Sequence, residues 1–334
     1  MATLSDVARA AGLSPTAVSR YLNNQLDLPP ETAARIDAAV ARLRYRPNRI
    51  ARRLSTGRAE AIGLAVPEID NPFFAAFAAA AEAEAERQGY AVFLMSTRGS
   101  AEREARALAQ IAERYVDGIV MLTNRPDDGT LAGLLAGETN VVLVDEDVPG
   151  APVPKVFVEN AGGAGAATRH LIDKGHRAIA YVGGPEGLMS VGERRQGFVD
   201  AMAAAGLGVR PDLIFTGDYS RTFGHAAGLA LAAMANRPTA LVAGSDYIVL
   251  GLYEAMRDRG LSIPADLSVI GFDDAPFAGF IDPPLTTIRQ PVAEMGRTAV
   301  AMLLARIAGD TATPVARLPV QLIERGSVAA LRQD

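Results

Sequence analysis

The chain has 334 residues, of which 49% are hydrophobic, so it can bury the cores of two or three domains, and a disordered or collagen-like protein is excluded. It has no cysteine, which excludes disulfides, a thiolate nucleophile and a cysteine-ligated zinc finger, and its formal net charge is −5. The N-terminus lacks a basic segment followed by an apolar run, and no apolar stretch approaches the ~18 residues of a membrane span. We therefore expect an unexported, cytoplasmic protein with no membrane partner.

The charge is unevenly distributed along the chain. Residues 1–58 contain ten arginines and four acidic residues, a net charge of +6, whereas the remainder contains 23 basic and 34 acidic residues, a net charge of −11. Because a basic segment attracts phosphate, the two parts are expected to bind different partners.

Three short helices are predicted in the first 44 residues. The first has an apolar stripe at helical spacing, formed by Leu4, Val7, Ala8 and Ala11. Gly12 ends this helix, and Ser14 as N-cap with Pro15 at the first position starts a second helix that runs to about Leu22. A third helix is predicted from about Pro30 to Arg44, with Ile36, Val40 and Leu43 closing the core.

The second helix has two different faces. Val18, Tyr21 and Leu22 point inward, whereas the outward face carries short polar side chains and one guanidinium: Thr16, Ser19, Arg20 and Asn23. Two helices joined at a glycine and packed by a third are typical of a DNA-binding helix-turn-helix unit. An ordinary small helical bundle has the same periodicity, and the arginine excess favours DNA binding.

An arginine-rich segment follows the third helix. Residues 45–57 (YRPNRIARRLSTG) have a proline near their start and a glycine at their end. A helix this short is unstable alone, so we expect it to fold when it is held by DNA or by a second copy of the chain. A solvated linker is the alternative.

Several of these stretches resemble the lactose-repressor (LacI/GalR) family. The motifs are residues 3–14 (TLSDVARAAGLS), 18–20 (VSR), 45–48 (YRPN), 51–54 (ARRL), 62–64 (IGL), 175–177 (GHR), 182–184 (VGG), 271–274 (GFDD) and 284–290 (PLTTIRQ). The resemblance covers essentially the whole chain.

This resemblance implies a dimer that inserts each second helix into a major groove and a pair of hinge helices into the minor groove. Leu54 would part the central base step, and Arg20 would read a guanine edge. The full set of expected DNA-binding residues is Ser14, Pro15, Thr16, Ser19, Arg20, Asn23, Asn48, Arg49, Arg52, Arg53 and Leu54. Ala17 replaces a hydroxyl found in many relatives, and Pro15 offers only apolar contact to a base.

From Ala61 onward, short apolar runs alternate with helical segments. Buried strands are predicted at residues 62–66, 91–95, 118–122 and 141–144, and then near 178–182, 213–216, 239–243 and 267–272. Helices are predicted at residues 73–88, 102–114, 162–174, 191–205, 220–235 and 248–259. This alternation is typical of doubly wound parallel sheets, and its repetition indicates two lobes with a cleft between them.

Ligands of such sheets bind beyond the carboxyl ends of the strands. Carboxylates, an arginine and aromatic rings occur at those ends, a set that suits a polyhydroxylated, sugar-like ligand. The candidate effector-binding residues are Asn71, Phe73, Phe74, Thr123, Asp145, Ser190, Arg194, Tyr219, Ser245 and Asp273. Each aromatic ring could instead belong to the hydrophobic core, and each aspartate could be a helix cap or a turn residue. Arg194 could instead form an ion pair on the surface.

The family resemblance assigns effector contacts to six of these residues: Phe73, Phe74, Asp145, Arg194, Tyr219 and Asp273. Ser245 stands where some sugar-binding relatives have asparagine, and Glu159-Asn160 replaces a common Asp-Asn pair. Leu188 stands where the purine-binding relative has an arginine, which disfavours a purine.

Other classes of function have weak support. The three histidines, His170, His176 and His225, lack metal-ligand spacing, so neither a metal nor a cofactor is expected. Residues 163–167 (GAGAA) with Glu186 make a poor dinucleotide fingerprint because the third glycine is missing. A secreted sugar-binding protein would share the two lobes but would lack the arginine-rich head.

The predicted fold is an all-α helix-turn-helix head joined by a hinge helix to an α/β periplasmic-binding-protein-like core of two doubly wound parallel-sheet lobes. The predicted domains are 1–46, 47–59 and 60–334, with lobes at roughly 60–160 plus 290–320 and 161–289 plus a C-terminal strand. We expect a homodimeric, non-enzymatic repressor of a carbohydrate operon that binds operator DNA and a sugar-like effector. A sugar-binding protein without DNA function and a purine- or nucleoside-responsive regulator are the alternatives. The C-terminus is too short for tetramer-forming leucine heptads.

Overall fold

The computed structural model describes residues 2–22, 26–45 and 58–331. The chain forms two compact units, residues Met1–Arg58 and Ala59–Asp334. No helix in the described ranges combines the length and apolar character needed to span a membrane.

The first unit contains three helices, α1 (Leu4–Ala11), α2 (Pro15–Leu22) and α3 (Pro30–Leu43). α1 begins with a reciprocal capping box between Thr3 and Asp6 and ends at Gly12, whose φ of 68° is easily adopted by glycine. The Ser14 hydroxyl accepts a hydrogen bond from the backbone N–H of Ala17 at 3.2 Å and so caps α2. The predicted helices, the Gly12 stop and the Ser14 cap are confirmed.

A small core fixes the three helices against one another. Its buried members are Val7, Ala8, Ala11, Val18, Ile36 and Ala39. Val40 and Leu43 pack against this core but remain half-buried. The Tyr21 hydroxyl donates to the Asp37 carboxylate at 3.2 Å, which joins α2 to α3.

The second unit contains two six-stranded sheets. The first sheet has the strand order β11-β5-β4-β3-β1-β2, and the second has the order β12-β10-β9-β8-β6-β7. All of their pairings are parallel except that of β10 with β12. We call the parts built on these sheets the first lobe and the second lobe.

The strands of the first lobe are β1 (Ala61–Val66), β2 (Ala91–Ser96), β3 (Ile119–Leu122), β4 (Val141–Val144), β5 (Lys155–Val158) and β11 (Val315–Leu318). Those of the second lobe are β6 (Ile179–Gly183), β7 (Ile214–Thr216), β8 (Ala240–Ala243), β9 (Ser268–Asp273), β10 (Thr286–Arg289) and β12 (Gln321–Ile323). Because β11 and β12 follow each other in the chain but lie in different sheets, the C-terminal segment crosses between the lobes.

The helices of the second unit cover both faces of the sheets. They are α4 (Pro72–Arg87), α5 (Ala101–Ala112), α6 (Thr130–Leu135), α7 (Asn160–Asp173), α8 (Met189–Ala204), α9 (Arg221–Ala232), α10 (Asp246–Asp258) and α11 (Val292–Ile307). The predicted two-lobed parallel α/β fold is confirmed, and the predicted helices are present within a few residues of their expected ends. The sequence interpretation did not identify α6, α11, β5, β10 or β11.

The expectation that residues 91–95 form a buried strand was wrong. Strand β2 is at the edge of its sheet, with β1 as its single neighbour. Phe93 and Leu94 are 48% and 50% exposed. A continuous apolar run therefore marks a strand here, but not one that this chain buries by itself.

Close helix packing in the second lobe depends on glycine. A Cβ atom on Gly197 of α8 would lie 2.1 Å from the backbone oxygen of Ala161 in α7, whereas a Cβ on Gly192 of the same helix would meet nothing within 4 Å. The two positions therefore form a matched pair within one helix.

We expect Gly197→Ala to lower the free energy of unfolding by about 2 kcal/mol, because the helices must separate to admit the methyl group. Gly192→Ala should raise it by about 0.5 kcal/mol, because alanine restricts the unfolded chain and favours the helix. Urea unfolding followed by circular dichroism measures both. Equal effects of the two substitutions would contradict the packing argument.

Candidate functional site

Helix α2 and its N-cap carry five of the eleven predicted DNA-binding residues. Ser14, Pro15, Thr16 and Arg20 are exposed, and Ser19 is half-buried. Val18, on the opposite face of α2, is fully buried in the core. The helix therefore has one face fixed by packing, and its opposite face carries the exposed side chains of Thr16 and Arg20.

Six of the predicted DNA-binding residues lie outside the described residues. They are Asn23, Asn48, Arg49, Arg52, Arg53 and Leu54. Their assignment rests on the sequence alone.

The predicted effector-binding residues come together in the second unit. One cavity between the two lobes, the cleft cavity, is lined by Asn71, Phe73, Phe74, Thr123, Asn124, Asp145, Glu146, Leu188, Arg194, Tyr219, Ser245, Asp273 and Gln290. Every predicted effector residue except Ser190 lines it, and Ser190 is hydrogen bonded to Glu146. The rule that parallel strands collect polar residues at their carboxyl ends accounts for this convergence.

Arg194, in α8, is the central buried charge of the cleft cavity. It is 3% exposed, and its Nε and one Nη donate to the side-chain oxygen of Asn160 at 2.8 Å and to the carbonyl of Gly244 at 2.7 Å. Its guanidinium carbon lies 3.9 Å from the centroid of the Phe272 ring. Burial alone would lower the pKa of Arg194, but Tyr219, Asp273 and other neighbouring groups raise it overall, so the side chain stays charged. The alternative of a surface ion pair was wrong.

Two aspartates face this guanidinium. Asp145 follows β4 of the first lobe, and its Oδ1 lies 3.9 Å from an Arg194 nitrogen. Asp273 ends β9 and accepts hydrogen bonds from Ser245 at 2.9 Å and from Gln290 at 2.7 Å. Burial raises the pKa of Asp273 to about 6, with Arg194 acting in the opposite direction. Burial also raises the pKa of Asp145.

Glu146 is a cleft residue that the sequence interpretation missed. It is 2% exposed and joins the lobes, because it accepts from the backbone N–H of Ser190 at 3.2 Å and from the Ser190 hydroxyl. Burial, together with the charge of Asp145, raises the pKa of Glu146 to about 8. Its position directly after Asp145 at the end of a strand was the available sequence signal. Gln290 was missed as well.

The aromatic residues form one wall of the cleft cavity. Asn71 caps α4 by accepting from the N–H of Phe73 at 3.1 Å, which places Phe73 and Phe74 on its first turn. Their rings are 5.4 Å apart in an edge-to-face arrangement. Both rings belong to the core of the first lobe and also line the cavity, so the core alternative and the binding expectation hold together.

Thr123 is committed to another side chain. Its hydroxyl donates to Glu104 at 2.7 Å, and Glu104 is ion paired with Arg125 at 3.1 Å. Thr123 is therefore part of the cavity wall, but its hydroxyl hydrogen is already donated to Glu104 and not to a ligand.

The cleft cavity is narrow, with a volume of about 20 Å³. That is room for one water molecule, so a larger ligand requires the lobes to separate or the side chains to move.

The glycines of the weak dinucleotide motif pack against neighbouring elements. A Cβ on Gly163 would lie 2.8 Å from Val320 and 3.0 Å from Phe272.

His176 is buried, with its ring nitrogens 2.9 Å from Thr239 Oγ1 and 3.0 Å from the Ala329 carbonyl. In the described part of the chain, no three acidic or histidine side chains are grouped to hold a metal ion.

Comparison with known proteins agrees with this architecture. Residues 3–48 match the family described as "Bacterial regulatory proteins, lacI family", and residues 168–328 match the family described as "Periplasmic binding protein-like domain". The HTH-type transcriptional repressor PurR of Glaesserella parasuis is 34% identical over 340 residues, covering 100% of both chains. The PurR repressor of Serratia proteamaculans is 35% identical, covering 98% of this chain and 97% of that protein.

Two solved structures are similar over nearly the full length. The lac repressor dimer bound to operator and the anti-inducer ONPF has a TM-score of 0.88 and 28% identity, covering 98% of this chain and 99% of that one. The complex of the transcriptional regulator CelR with cellobiose has a TM-score of 0.74 and 32% identity, covering 98% and 100%.

The raised pKa of Glu146 predicts a pH dependence of stability. The folded protein keeps a proton up to pH of about 8, whereas the unfolded chain loses it near 4.5. The contribution of this Glu146 proton to the free energy of unfolding is thus complete below pH 4.5 and is lost as the pH rises to about 8. Between pH 5.5 and 7.5, we expect the unfolding free energy to fall by about 1 kcal/mol more per pH unit in the wild type than in Glu146→Gln. Urea unfolding at several pH values measures this.

Exposed Glu86, on α4, supplies the control for that experiment. Glu86→Gln should follow the wild-type slope. A Glu146→Gln slope equal to that of the wild type would contradict the assignment of the buried proton.

Proposed function

The chain belongs to the lacI family of bacterial regulatory proteins, and from that membership we propose that it is a repressor whose operator affinity is set by a small sugar-like effector in the cleft cavity. The observation that carries this proposal is the full-length match to repressors, which covers both the helix-turn-helix unit and the two-lobed unit. These relatives are regulators rather than enzymes.

DNA binding is proposed for the first unit. The exposed face of α2 carries Pro15, Thr16 and Arg20, and residues 1–58 have a net charge of +6. A guanidinium can pair with guanine O6 and N7, so Arg20 is the proposed base reader. Ser14, Ser19 and Asn23 would accompany it, while Asn48, Arg49, Arg52, Arg53 and Leu54 would act in the hinge. The domain division 1–46, 47–59 and 60–334 follows from these roles.

Effector binding is proposed for the cleft cavity. Buried carboxylates beside Arg194 provide acceptors and donors for hydroxyl groups, and Phe73 and Phe74 provide apolar ring surface. The similar structure of a regulator with cellobiose supports a carbohydrate. A ligand that favours one separation of the lobes changes the population of conformations, and through it the operator affinity.

A purine is the second candidate effector. It is favoured by the 34–35% identity to repressors named PurR. Leu188, an apolar residue, lines the cleft cavity and disfavours it. A thermal-shift screen with hypoxanthine, guanine and monosaccharides separates the two candidates, since a ligand at 100 times its dissociation constant stabilises the protein by about 2.7 kcal/mol.

A homodimer is also proposed. The exposed edge strand β2, with Phe93 and Leu94, would present unpaired backbone and apolar surface to water in an isolated chain. Tyr115 and Phe280 are exposed as well, at 58% and 89%. A second copy of the chain is proposed to cover this surface, and the similar lac repressor structure is a dimer.

Shortening the side chain of Leu54, which is proposed to insert at the central base step, should weaken DNA binding without weakening effector binding. We expect Leu54→Ala to weaken binding about ten-fold, because the parted base step is no longer filled. The probe is a palindromic fragment that the full chain selects from random-sequence DNA, and fluorescence anisotropy over a salt series measures the affinity. Thermal shifts caused by bound sugars should be unchanged.

The matched control is Leu134→Ala, at a partly exposed position on α6. It should bind DNA like the wild type. Arg49, Arg52 and Arg53 are proposed to contact DNA phosphates, and released counterions make such binding fall steeply with salt, so an affinity that does not change with salt would contradict these contacts.

A charge on β2 should dissociate the dimer. We expect Leu94→Asp to shift the protein from dimer to monomer in sedimentation velocity, because the carboxylate would have to be buried in the interface. An equivalent charge on an exposed residue elsewhere, Leu134→Asp, should leave the dimer intact. A Leu94→Asp variant that remains dimeric would refute β2 as the interface.

A further inference from the structure

The cleft cavity contains more acidic groups than basic groups. The carboxyl groups of Asp145, Glu146 and Asp273 line it, and Arg194 is the one basic side chain among its lining residues. Glu146 and Asp273 are 2% and 8% exposed. At pH 7, where Glu146 keeps its proton, ionised Asp145 and Asp273 exceed Arg194 by one negative charge, so the lining favours a cationic ligand over a neutral one.

Buried hydrogen-bond acceptors in the cavity also lack donors. The Oδ1 atom of Asp145 and the Oε1 atom of Gln290 are buried without a hydrogen-bond partner. Gln290 is 3% exposed, and its Nε2 is used by Asp273, so the unpartnered oxygen is held in place. Buried polar atoms are normally paired, and a ligand that donates hydrogen bonds would pair these two.

The rim of the cavity has acidic groups on one side. Asp70 and Asp218 adjoin the lining residues Asn71 and Tyr219 in sequence, and burial together with the charges of these two aspartates raises the pKa of Glu68. A separate cavity, whose lining includes Leu188 as the cleft cavity's does, has mixed charge, with Arg125, Asp127, Asp147, Glu186 and Arg195. The electrostatic field at the acidic side attracts cations.

We propose that the effector is a hydroxylated compound of monosaccharide size that carries a protonated amino group, and that this group binds between Asp145 and Glu146. The proposal rests on the cleft cavity being the effector site. An ammonium group is a donor without acceptors, so it pairs with the unpartnered Asp145 oxygen and replaces the Glu146 proton without changing the net charge of the site. The hydroxyl groups of the ligand donate to the Oε1 atom of Gln290.

Such binding moves a proton. Burial and Asp145 raise the pKa of Glu146 to about 8, so its carboxyl group is protonated at pH 7 before the ligand arrives. The groups that face it are Asp145 after β4, Ser190 and Arg194 on α8, and Tyr219 after β7. Bringing an ammonium ion beside Glu146 favours its ionised form, and the carboxyl proton passes to the solvent. A neutral ligand leaves that proton in place.

Matched sugars test the proposal with the full chain. The probes are glucosamine, galactosamine and mannosamine, each compared with its parent hexose and its N-acetyl derivative, by calorimetry at pH 7 in two buffers of different ionisation enthalpy. We expect at least one amine to bind about ten-fold tighter than both of its neutral counterparts and to release up to one proton. Glu146→Gln should lose that preference and that proton release, whereas Glu86→Gln should keep both.

Each other outcome overturns the inference. A neutral sugar or purine that binds as tightly as the amines, amine binding without proton release, or failure of all the amines to bind would each do so. In the first case the proposed effector site stands while its proposed chemistry fails. Unchanged urea unfolding at pH 5.5 establishes that Glu146→Gln is folded. A failure of the proposed repressor function is detected separately, as absence of sequence-specific DNA binding.

Discussion

The buried guanidinium of Arg194 is the constraint on which the geometry of the cleft depends. A charge at this depth must be paired and hydrogen bonded, or it would strongly destabilise the fold. Asn160, Gly244 and the Phe272 ring hold it within the second lobe, and Asp145 faces it from the first lobe. The lobes are thus joined by an electrostatic contact, and a ligand in the cavity competes for the same groups.

Two further contacts link the lobes around this centre. Glu146 accepts from Ser190, and Glu193 of α8 is ion paired with Arg317 of β11 at 2.7 Å. Both contacts involve the N-terminal half of α8, which also carries Arg194. The position of this one helix therefore reports the separation of the lobes. A domain with several polar contacts and a small cavity at its lobe interface can be shifted by a ligand that replaces some of them.

Much of this arrangement could be predicted from the sequence because simple physical rules apply to it. Helical spacing in the first 44 residues and the Gly12 stop determine the three-helix unit, and the end-of-strand rule brings Asp145, Tyr219 and Asp273 together. Other features depend on long-range contacts. The exposure of Phe93 follows from the strand order, the burial of Glu146 follows from α8 packing over it, and β11 pairs with β5 although their residues are far apart in sequence. Local patterns contain no information about such neighbours.

The central claim, that the separation of the lobes controls operator affinity, can be tested without knowing the effector. A Cβ on Gly187 in the second lobe would lie 3.1 Å from the Cβ of Pro126 in the first, a few tenths of an ångström inside the disulfide range, and Gly187 has a φ of 90°, so a disulfide here needs a small local shift in a chain that has no native cysteine. The measurement is the operator affinity of the Pro126→Cys, Gly187→Cys protein, oxidised and reduced, with each single variant as a control. We expect the two redox states of the double variant to differ by about five-fold or more. Equal affinity in both states, with the disulfide verified, would contradict the account.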